Sequence, residues 1–93
     1  MDRIHCIMQR NGCDERQARI IAGDLEKLNP ALQPLLARWE ATGAQDDDTL
    51  YEGYSVSGLM ERFDLKFTGA LLTIDWLLRD PETAKKVIAQ GMR

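Results

Sequence analysis

Residues 67 to 79 read Phe-Thr-Gly-Ala-Leu-Leu-Thr-Ile-Asp-Trp-Leu-Leu-Arg. Phe67, Ala70, Leu71, Ile74, Leu77 and Leu78 recur at spacings of three and four, the period of an α-helix and not the two-residue alternation of a strand. Leu72 and Trp76, one turn apart, lie off that stripe. A helix on the surface of a domain buries a single stripe roughly 100° wide, so this second pair needs a cover of its own. If the helix is central, other helices of the chain supply it. If it is peripheral, a second copy or another protein does, and tryptophan is a favoured anchor at such contacts. Leu72 and Trp76 are therefore candidate partner-binding residues.

The same reading extends in both directions. Downstream, Asp80 and Pro81 supply an N-cap and a first helical position for a helix over 81–91, with Ala84, Val87, Ile88 and Met92 on one side. Lys85, Lys86 and Arg93 lie toward its negative C-terminal end. Upstream, Ser55 caps a helix over 55–63 carrying Val56, Leu59, Met60 and Phe63, and Asp64 and Leu65 turn the chain. Asp2 opens a helix over 3–10 with Ile4, Ile7 and Met8, closed by Asn11 and Gly12. Asp14 followed by Gln17 is a capping-box pattern for a helix over 14–28, striped by Ala18, Ile21, Ala22, Leu25 and Leu28. Asn29 and Pro30 stop and restart the chain into a helix over 30–42 with Leu32, Leu35, Leu36 and Trp39, which Pro34 either kinks or divides. Residues 44–54 show no helical period, and the best strand candidate, Thr49 to Val56, is broken by Gly53. The expected fold is all-α, a compact single-domain bundle of five or six short helices.

With 93 residues, 44% hydrophobic and a net charge of −3, the chain is long enough for one small core and too apolar for disorder. No apolar run exceeds three residues, as in Ala70 to Leu72, so neither a membrane span nor a signal peptide is expected. Two cysteines, Cys6 and Cys13, are too few for a secreted disulfide framework and point to reduced thiols in the cytoplasm. Residues 1–45 carry six acids and six bases, 46–56 four acids and no base, and 57–93 five acids and six bases. The negative excess thus falls in the 44–54 connection. Asp46, Asp47 and Asp48 with Tyr51 and Tyr54 form a second candidate partner surface, one matched to a basic protein. A solvated loop is the plainer reading.

Residues 57 to 79 also resemble a helix-turn-helix: Leu59, Met60, Phe63 and Leu65 occupy the apolar positions of its first helix and turn, and Ala70 falls where the second helix packs inward. Asp64 stands where the motif usually has glycine, and Met60 where it has alanine. The resemblance implies DNA binding through Arg62, Lys66 and Thr68. An acidic chain whose second helix is mostly Leu and Ile offers few donors for base edges or phosphates, so protein contact is favoured.

Other chemistry finds no support in the residues. His5 and Cys6 are adjacent and point about 100° apart on a helix, which suits no structural zinc site, so no metal or other cofactor is expected. The acidic segment lacks the order of an EF-hand loop. Phosphate-cradling glycine loops, nucleophile elbows and zinc-protease motifs are absent, and neither an enzyme nor a small-molecule substrate is expected. The expected function is that of a small helical interaction module, an accessory, regulator or inhibitor, with a protein partner or a homodimer contact.

Overall fold

The computed structural model of the chain describes residues 2–91. The fold is all-α: among the described residues there are six α-helices and one 3-10 turn, and the only β feature is an isolated bridge between Tyr51 and Tyr54. In chain order the helices are α1 (Arg3–Asn11), α2 (Glu15–Leu25), α3 (Gln33–Thr42), α4 (Val56–Phe63), α5 (Phe67–Arg79) and α6 (Pro81–Ala89), with the 3-10 turn Pro30–Leu32 ahead of α3. Met92 and Arg93, assigned above to the last helix, lie outside the described residues.

The chain divides into two compact units, Met1–Ala44 and Gln45–Arg93. In the first, α1 and α2 start on the caps their sequence foretells. Asp2 accepts a hydrogen bond from the His5 amide at 2.8 Å and Asp14 one from the Gln17 amide at 2.8 Å, satisfying donors a helix start leaves orphaned. Cys6, Ile7, Ala18, Ala22, Leu25, Leu28, Leu32, Leu36 and Trp39 are buried. The expected helix over 14–28 is shorter, because α2 ends at Leu25 and the chain tightens through Leu28 N–H to the Leu25 carbonyl at 3.2 Å. Gln33 then donates its side-chain amide to the carbonyls of Leu25 (3.5 Å) and Leu28 (3.3 Å), covering that frayed end. The expected helix over 30–42 is divided. Its break falls at Leu32, and Pro34 lies at the start of α3, where a missing N–H costs nothing.

In the second unit, Val56, Leu59, Phe67, Ala70, Leu71, Ile74, Leu77, Ala84 and Ile88 are buried, and α5 packs against both α4 and α6. Ser55 Oγ accepts from the Gly58 amide at 3.0 Å to start α4, and Asp80 Oδ1 from the Thr83 amide at 3.4 Å to start α6. Asp64 ends α4 in the left-handed region (φ 53°, ψ 45°). The next amide, of Leu65, reaches back to the Met60 carbonyl at 3.0 Å, the long bond of a Schellman ending.

Candidate interaction surface

α5 is buried around most of its circumference. Besides the apolar stripe, Thr68, Thr73 and Asp75 are only 3%, 7% and 5% exposed. Thr73 Oγ1 donates to the Gly69 carbonyl at 2.8 Å, and the Asp75 carboxylate takes Arg79 Nε at 2.9 Å, so the polar groups carried inward are satisfied locally. One line of α5 is turned outward along its length. At 100° per residue, Gly69, Leu72, Trp76 and Arg79 fall within an arc of about 80°. The first three are half-buried and Arg79 is exposed, while Leu78, also half-buried, lies on another side near the helix end. Leu72 and Trp76 thus share one outward face. The reading of the residues named those two and missed Gly69, although its spacing of three from Leu72 carries the signal.

The acidic connection is held by its own contacts. Asp47 Oδ1 accepts from the Thr49 amide at 3.0 Å, and its carbonyl accepts from Ser57 Oγ at 3.4 Å. Tyr51 and Tyr54 exchange backbone hydrogen bonds of 2.7 and 2.9 Å around Glu52 and Gly53, whose φ values of 53° and 89° define a tight turn with both central residues left-handed. Glu52 is fixed from α6 by Lys85 Nζ at 3.1 Å. Tyr51 and Tyr54 are half-buried, as is Asp47, whereas Asp46 and Asp48 are exposed. Burial pushes the Tyr51 phenol above its ordinary pKa, and the neighbouring Asp47 carboxylate pushes it further. Leu50, 69% exposed in this loop, was not named above, because nothing in its spacing marks it. Beside the loop, Gln45, Asp46, Ser57, Met60, Glu61, Asp64 and Leu65 line an open acidic cleft of about 410 Å³. No cluster among the described residues has the donors to hold a metal ion.

For the helix-turn-helix likeness, Asp64 supplies the left-handed turn that glycine usually provides. Arg62 and Lys66 are exposed, with the Arg62 guanidinium 4.9 Å from the Phe63 ring centroid. Thr68 differs: at 3% exposure it offers no surface to a duplex. The outward line of α5, Gly69, Leu72 and Trp76, offers a base no donor but the Trp76 indole N–H before Arg79.

In the first unit, Arg3, Arg10, Ala37, Glu40 and Ala41 line an open cleft of about 600 Å³. Both arginines are engaged in holding α1 to the end of α3. Arg3 Nε pairs with Glu40 Oε1 at 3.1 Å. Arg10 Nε donates to Cys6 Sγ at 3.2 Å and Nη2 to the Glu40 carbonyl at 3.2 Å, while its guanidinium lies 5.6 Å from the Trp39 ring centroid. Cys6 and Cys13 are free thiols, the first buried and the second half-buried, and His5 is exposed beside Asp2. Compared with known protein families, curated proteins and solved structures, the chain finds no match. No helix among the described residues is long and apolar enough to cross a membrane.

Proposed function

We propose that the chain is a protein-contact module, an accessory, regulator or inhibitor that works by binding and not by catalysis, with Leu72 and Trp76 at the centre of its contact face. The observation that carries this reading is the outward line of α5: Gly69, Leu72 and Trp76, free of charge and left half-exposed on a helix buried around most of its circumference. Leaving a tryptophan and a leucine on that line forgoes hydrophobic stabilisation that an occupant would recover. The acidic loop is a secondary contact, its Asp46, Asp48 and Leu50 presented to a basic surface. A reducing compartment, the cytoplasm, suits two free thiols.

A helix-turn-helix reading gains from the left-handed Asp64 and from exposed Arg62 and Lys66. Two measurements on the purified chain separate the readings. Leu72→Asp is expected to fold, losing no more than about 1.5 kcal/mol, since a half-exposed position has little burial to lose. A mixed-sequence duplex is expected not to bind at low salt. Collapse of the Leu72→Asp fold would make the face part of the core, and duplex binding that weakens steeply with salt would favour the DNA reading.

A further inference from the structure

We draw no further inference here: the strongest candidate, the outward face of α5 at Gly69, Leu72 and Trp76, belongs to the contact surface already described, and nothing in the structure shows what covers it.

Discussion

Gly43→Ala tests whether Arg10 is the side chain that fixes the end of α3. Gly43 closes that helix at φ 76°, and a Cβ there would press into the Arg10 guanidinium. Two costs follow. Any L-residue in the left-handed region costs about 1 kcal/mol relative to glycine. Displacing Arg10 also surrenders its bonds to Cys6 Sγ and the Glu40 carbonyl and its position over Trp39, worth about 1 to 2 kcal/mol together at this partly exposed site. Gly12 is the internal control, since it has φ 68° but nothing within 4 Å of a Cβ. Gly12→Ala is therefore expected to cost about 1 kcal/mol and Gly43→Ala about 2 to 3 kcal/mol. Urea unfolding followed by tryptophan emission in a Trp76→Phe background reports on the buried Trp39 of the same unit. In an Arg10→Ala background the Gly43→Ala cost is expected to fall back to about 1 kcal/mol. Equal losses for the two glycines, or no change of the Gly43 loss on removing Arg10, would refute the role given to this arginine.

Ile74→Ala, at a fully buried position on α5, is expected to lose about 2 to 5 kcal/mol in urea unfolding followed by Trp76 emission in a Trp39→Phe background, whereas Leu50→Ser, 69% exposed, is expected to change stability by less than about 0.5 kcal/mol. The Tyr51 phenol holds its proton more tightly in the folded chain than in the unfolded one. That contribution is complete below the ordinary value of 10.0 and is lost as pH rises through the higher folded value. Ultraviolet absorbance titration is expected to show Asp47→Asn moving the Tyr51 midpoint back toward 10.0 without reaching it, because burial, the larger cause, remains. The Asp2 carboxyl is held below 3.8 by the His5 amide first and the His5 side chain second. Its support of α1 is present above that value and lost as pH falls through the lower folded one, and a midpoint at or above 3.8 in an NMR titration would count against the cap.

Local signals were legible where one residue type has one physical job. Asp14 with Gln17, Ser55 before Val56 and Asp80 before Pro81 each marked a helix start, because a short acceptor side chain finds the orphaned amides of the first turn. Boundaries governed by distant contacts were not. α2 stops at Leu25 with Gln33 covering its carbonyls from eight residues away, and no periodicity conveys that. Asp64 was read as a turn residue but as a departure from the helix-turn-helix pattern, where glycine is usual, and aspartate tolerates the left-handed conformation it takes here. On α5, Leu72 and Trp76 were apparent from their excess over one stripe. Gly69 passed unnoticed because it has no side chain to count, while Leu65, read as turn, does lie in the turn between α4 and α5. Thr68 looked available as a polar residue near a helix start, and only the packing of α5 turns it inward.

The most direct test of the contact face is an aspartate scan along α5 at Gly69, Ala70, Leu71, Leu72, Ile74, Trp76 and Leu77, read as melting temperature. The expected pattern is periodic: severe losses at Ala70, Leu71, Ile74 and Leu77, all fully buried, and mild ones at Gly69, Leu72 and Trp76. Losses at Leu72 and Trp76 as deep as those at Leu71 and Ile74 would contradict the outward line and the binding function built on it.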